Sequence, residues 1–124
     1  MILPALRKGG YTYETQVKVG VRPGGRNHKV DAVAEKGQTR FLISLKWQQV
    51  GGTTEQKVPF EVMCLSDTLA GGQYAKAYLV LGGDGWKLRD FYISGGLEKY
   101  LRETHGIEIV TLERFIANAN KGAL

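Results

Sequence analysis

A chain of 124 residues with 43% hydrophobic side chains and no apolar run approaching eighteen predicts one domain over 1–124, able to bury roughly two-thirds of its unfolded surface. This excludes a membrane span, a repeat array and a multidomain enzyme, and a lone cysteine, Cys64, with no targeting signal reads as an intracellular, cytoplasmic protein. The net charge of +5 is concentrated: residues 1–30 hold six basic side chains and one acid, Glu14, while the remaining ninety-four hold eleven of each sign.

Paired glycines punctuate the chain at turns. In residues 11–21, Tyr13, Thr15, Val17, Val19 and Val21 alternate with Thr12, Glu14, Gln16, Lys18 and Gly20, a period of two that predicts a strand. A turn at 22–25 precedes a second strand over 28–34, and a turn at 35–38 precedes a third over 39–47. Turns this short imply an antiparallel meander. Val58, Val62, Leu65 and Leu69 then recur at three- and four-residue steps, a helix whose regular part starts within a few residues of Pro59, since proline fits only a helical first turn. Residues 75–81 form an apolar run consistent with a buried strand, and a glycine turn follows at 82–85. A helix over 97–103, a strand over 107–110 and a closing helix over 112–120 with Phe115 inward complete the order βββαβαβα. The expected fold class is α/β (α+β), a mixed sheet flanked by helices.

Within the second strand Asp31 stands between Val30 and Ala32, where burying a carboxylate is costly unless it is paired or bound to metal. On the third strand Ser44, Lys46 and Gln48 share one face, and Ile43, Leu45 and Trp47 the other. A simple hairpin sets Asp31 opposite residue 43 or 44, within reach of Ser44 and Lys46. Such a pair is either a structural ion pair or part of a site. The basic first quarter, with Lys18, Arg22, Arg26 and Lys29, is either a solvated face or a surface for a polyanion such as nucleic acid. Glu55 suits the first turn of the helix, where an acid favours the helix dipole. Neither His28 nor His105 has a cysteine or histidine at zinc spacing, which predicts no zinc site, and Cys64 reads as core.

Residues 28–69 resemble the PD-(D/E)XK nuclease superfamily, the fold of many restriction endonucleases, whose signature is an acid on the second strand and acid-x-lysine on the third. Asp31 matches the first acid and Lys46 the lysine, in the run FLISLKWQ. Ser44 departs from the signature, standing where it has Glu or Asp. In a subgroup of type II restriction endonucleases the missing carboxylate comes from the following helix, and Glu61, fifteen residues beyond Lys46, fits that position, with Glu55 as competitor. The resemblance implies a restriction-endonuclease-like fold and Mg²⁺-dependent DNA endonuclease activity, with Mn²⁺ able to substitute. Asp31 and Glu61 or Glu55 would hold the metal, and Lys46 would orient or deprotonate the attacking water. Ser44 would bond a metal-bound water, Gln48 would contact water or phosphate, and Lys18, Arg22, Arg26 and Lys29 would hold the DNA backbone. A homodimer or higher oligomer is expected, because cutting both strands takes two sites. A structure-selective nuclease such as a Holliday-junction resolvase, or an inactive DNA-binding subunit, are the alternatives.

Overall fold

The computed structural model describes residues 2–101, 104 and 106–124. In chain order helix α1 (Ile2–Lys8) precedes the meander β1 (Thr12–Val21), β2 (Asn27–Lys36) and β3 (Thr39–Trp47). A 3-10 turn (Thr54–Lys57) opens α2 (Val58–Ala70), followed by β4 (Lys76–Gly82), α3 (Arg89–Ile93), a second 3-10 turn (Gly96–Lys99), β5 (Ile107–Thr111) and α4 (Leu112–Asn120). The sheet runs β1-β2-β3-β4-β5, antiparallel among the first three strands and parallel from β3 to β5. Among the described residues no helix is long and apolar enough to cross a membrane.

Helices cover both faces. Ala32, Ala34, Phe41, Ile43, Tyr78 and Val80 meet Leu6 of α1 and Leu112, Phe115 and Ala119 of α4 on one side. Val30, Val33, Leu42, Leu79 and Leu81 meet Val58, Val62 and Leu65 of α2 on the other, together with Tyr92 and Leu97. The helical stripe of α2 and the inward Phe115 are therefore as expected, and Thr111 caps α4 by accepting a hydrogen bond from the Arg114 amide at 3.2 Å.

Two elements differ from the sequence-based expectation. Helix α1 was not foreseen; seven residues are too few to display a helical period, and it is held by burial of Ala5 and Leu6. The helix expected over 97–103 is reduced to the 3-10 turn at Gly96–Lys99, with Arg102 and Glu103 outside the described residues, and helical structure lies earlier, in α3. Gly95, at φ +85°, separates the two, and a side chain on Gly96 would collide with the Phe91 ring.

The meander also carries a crease. Lys36 pairs with Thr39 across a two-residue turn, and the β2–β3 ladder ends at Ala32 and Ile43. Beyond it β2 continues only with β1, as a projecting arm, while β3 continues alongside β4. Gln16, whose φ of +52° is left-handed, lies between the pairs Thr15–Ala32 and Val17–Val30, on Asp31's row. Before that row Tyr13 packs with the α1/α4 layer beside Ala32 and Ala34; beyond it Val17, Val19 and Val30 pack with the α2 layer. Both strands thus exchange inner and outer faces across the crease.

Candidate active site

Asp31 sits where β2 parts from β3. Its Oδ2 accepts the Leu45 amide at 2.6 Å, so the carboxylate takes up a strand N–H at the point where the ladder ends and is fixed between Ser44 and Lys46. Because Leu42 packs against α2, alternation turns Ser44 and Lys46 to that same side. Ser44 is buried and Lys46 half-buried.

Helix α2 brings the second carboxylate to this side. Glu61 follows Val58 by three residues and precedes Leu65 by four, so it occupies a core-facing position and is only 3% exposed. Ser44 Oγ donates to its Oε2 at 2.6 Å, which sets a carboxylate against the β3 position whose own side chain is a hydroxyl. The imidazole Nε2 of His28, from the arm, lies 3.4 Å from each carboxylate oxygen, and His28 Nδ1 lies 3.3 Å from Thr68 Oγ1. Burial acts most strongly on the Glu61 carboxyl and would raise its pKa. The contacts with His28 and Ser44 and the positive charge of Lys46 outweigh that and hold it below the ordinary 4.5. Cys64, one turn along α2, has its thiol pushed up by burial and then by the charge of Glu61.

Glu55 is buried as well, with different surroundings. Its Oε1 accepts the amides of Lys87 and, at 2.8 Å, Leu88, at the start of α3. Its own amide donates to Gln48 Oε1 at 3.1 Å, and its carbonyl accepts the Tyr92 hydroxyl at 2.6 Å. Gln48 Nε2 donates to the Gly85 carbonyl at 2.7 Å. Gln48, expected to reach water or phosphate, is thus buried with both ends of its amide engaged, and Glu55 clamps the 82–88 loop. Gly83 and Gly85 make this clamp possible, since a side chain on either would overlap the backbone at Gln48 or Val50.

The basic residues of the first quarter lie on the arm. Lys18 and Lys29 pair across β1 and β2; Lys29 stands between buried His28 and Val30, so it faces away from α2. Arg22 and Arg26 form the tip, closed by the Arg22 amide donating to the Arg26 carbonyl at 2.6 Å. The structure therefore gathers Asp31, Ser44, Lys46 and Glu61 at one end of the sheet, separates Glu55 and Gln48 into a clamp, and adds His28, which the spacing of residues did not reveal. Its signal is a histidine three residues before Asp31 that shares strand parity with Val30. His105 lies outside the described residues.

A family model described as a PD-(D/E)XK nuclease superfamily domain matches residues 2–123. A solved structure described as "Protein of Unknown Function AF1548" superposes with a TM-score of 0.54 at 16% identity, over 90% of this chain and 54% of that one. At that identity the likeness concerns the fold, and this chain spans about half the length of its counterpart. No curated protein matches the sequence.

Proposed function

Because the chain belongs to the PD-(D/E)XK nuclease superfamily, we propose that it is a metal-dependent DNA endonuclease whose working centre is Asp31, Lys46 and Glu61. One observation carries the assignment of Glu61: its carboxylate meets the Ser44 hydroxyl at 2.6 Å, so an acid from α2 stands beside the strand position where the signature has one. The donor set fits a hard divalent ion. Asp31 keeps one carboxylate oxygen free of the Leu45 amide, and Glu61 is held ionised; oxygen donors of this kind suit Mg²⁺ or Mn²⁺. When bound, such an ion supplies charge stabilisation at the phosphorus and an acidified water.

The chain's own groups do the rest. Lys46, on the same side of the sheet as Ser44, places a positive charge where a phosphate would lie and orients the attacking water. Ser44 fixes the rotamer of Glu61. Arg22 and Arg26 at the arm's tip, with Lys18 and Lys29 on its outer face, hold the phosphate backbone, so affinity falls as salt rises. The Glu55 carboxylate is occupied by backbone amides, and we place it outside the metal set. Cleavage of both strands calls for two centres and hence a homodimer, measurable by light scattering with and without DNA.

The deciding experiment incubates supercoiled plasmid and a synthetic four-way junction with wild type and Lys46→Ala in Mg²⁺, Mn²⁺ and EDTA. Metal-dependent cutting by wild type alone is expected. Preference for the junction would make the enzyme a structure-selective resolvase, and DNA binding without cutting under either metal would overturn the catalytic reading in favour of a DNA-binding subunit.

A further inference from the structure

The polar row along α2 continues past Glu61 to Cys64 and Thr68. Thr68 Oγ1 donates its proton to the Cys64 carbonyl at 3.1 Å, the usual back-bond of a helical threonine. Its oxygen also faces His28 Nδ1, at 3.3 Å. Nε2 is left facing the Glu61 carboxylate at 3.4 Å.

The Cys64 thiol completes a group of three donors. Ligand atoms of His28, Glu61 and Cys64 all lie within 4.8 Å of one another, and all three residues are buried. Zn²⁺ bonds of about 2.0–2.3 Å bring such atoms to roughly 3.5 Å apart, close to the 3.4 Å already separating His28 from Glu61. A histidine whose far nitrogen meets a fixed oxygen, as here that of Thr68, is the usual second layer of a metal site. We propose that His28, Glu61 and Cys64 form a binding site for one thiophilic divalent ion of the Zn²⁺ class.

Nitrogen and sulfur donors separate this set from the all-oxygen set that suits Mg²⁺. Cys64 binds as thiolate, so uptake releases one proton to solvent. Between the arm and α2 lies a cavity of about 280 Å³ walled by Val19, Gly20, Asp67 and Thr68; Thr68 is the residue that touches His28. The site was invisible at the level of spacing, because His28 reaches α2 only through the crease that turns the arm's faces over.

The test uses the whole chain, stripped with EDTA, dialysed and titrated with Co²⁺ and then Zn²⁺. One equivalent of Co²⁺ is expected to give a near-ultraviolet thiolate-to-metal band and intense visible bands of four-coordinate cobalt, both bleached by Zn²⁺. Cys64→Ala should lose the thiolate band, and Thr68→Val should weaken Co²⁺ binding by about tenfold. Circular dichroism and melting in EDTA confirm that each variant is folded; should Cys64→Ala not fold, sulfur scattering at the zinc absorption edge of wild type reads the same bond. Wild type with no thiolate band and only weak, oxygen-type cobalt spectra would overturn the site. Plasmid cleavage is read separately, so loss of this site and loss of the nuclease reading are distinguishable results.

Discussion

Glu55 and Glu61 stand six residues apart and are 7% and 3% exposed, yet their surroundings are opposite in kind. The Glu55 carboxylate is met by backbone amides from the 82–88 segment, groups that cannot titrate, rotate away or be exchanged for a ligand. The Glu61 carboxylate is met by a hydroxyl and an imidazole, with a lysine adding charge from β3. Burial alone therefore says little about what an acid does; the partners decide. Backbone partners make a carboxylate a rivet, and side-chain partners leave it able to exchange one cation for another.

The largest effects should come from the Glu61 side. Asp31→Asn and Lys46→Ala are each expected to lower plasmid cleavage by about a hundred- to ten-thousand-fold. Stability should stay within about 1 kcal/mol of wild type, because the carboxamide oxygen introduced by Asp31→Asn can still accept the Leu45 amide and Lys46 is half-buried. Loss of folding in these variants would erase the contrast. Glu55→Ala should do the reverse: it orphans the Lys87 and Leu88 amides and should cost about 2–4 kcal/mol in urea unfolding, while the folded fraction cuts DNA at close to the wild-type rate. A cleavage defect beyond the folded fraction would return Glu55 to the metal set.

A smaller effect is expected from pH. Glu61 is held below its ordinary 4.5, so its contribution to stability is complete above that value and is lost as pH falls through the lowered folded value. Melting curves between about pH 6 and 3 should therefore descend more steeply for wild type than for Glu61→Gln; parallel descents would mean that the His28 and Ser44 contacts do not outweigh burial. The mildest change is Ser44→Ala, expected to cost about 1–2 kcal/mol and to slow cleavage by about tenfold, since Glu61 loses its hydrogen bond but remains in place.

The sequence carried what repeats locally. Val58, Val62 and Leu65 disclosed α2, the alternation around Ser44 disclosed the face of Lys46, and a short turn read at 35–38 put Asp31 beside β3. Glu61 was legible through the resemblance, whose Ser-x-Lys variant takes its second acid from the helix after the third strand, and Glu61 stands fifteen residues beyond Lys46. What escaped notice depends on contacts between distant segments. Gln48 and Glu55 make sense only once the parallel pairing of β3 and β4 brings Gly82 and the following loop alongside residues 48–50. His28 escaped because strict alternation would set it on the side of Ala32 and Ala34, whereas the arm changes sides at the row of Gln16 and Asp31. The helix expected over 97–103 failed on Gly95 and Gly96, whose turn conformation and contact with Phe91 outweigh the apolar spacing.

The amide of Leu45 donates to a carboxylate instead of to a neighbouring strand. A strand amide bonded to backbone senses only the opening of the sheet, whereas this one also senses the charge on Asp31. In a nitrogen–proton correlation spectrum its resonance should move when a cation draws on Asp31 and stay still when one settles against His28, Glu61 and Cys64 without Asp31. The molecule thus contains its own indicator, a single backbone proton that distinguishes the two sets of donors in one titration without any substitution at all.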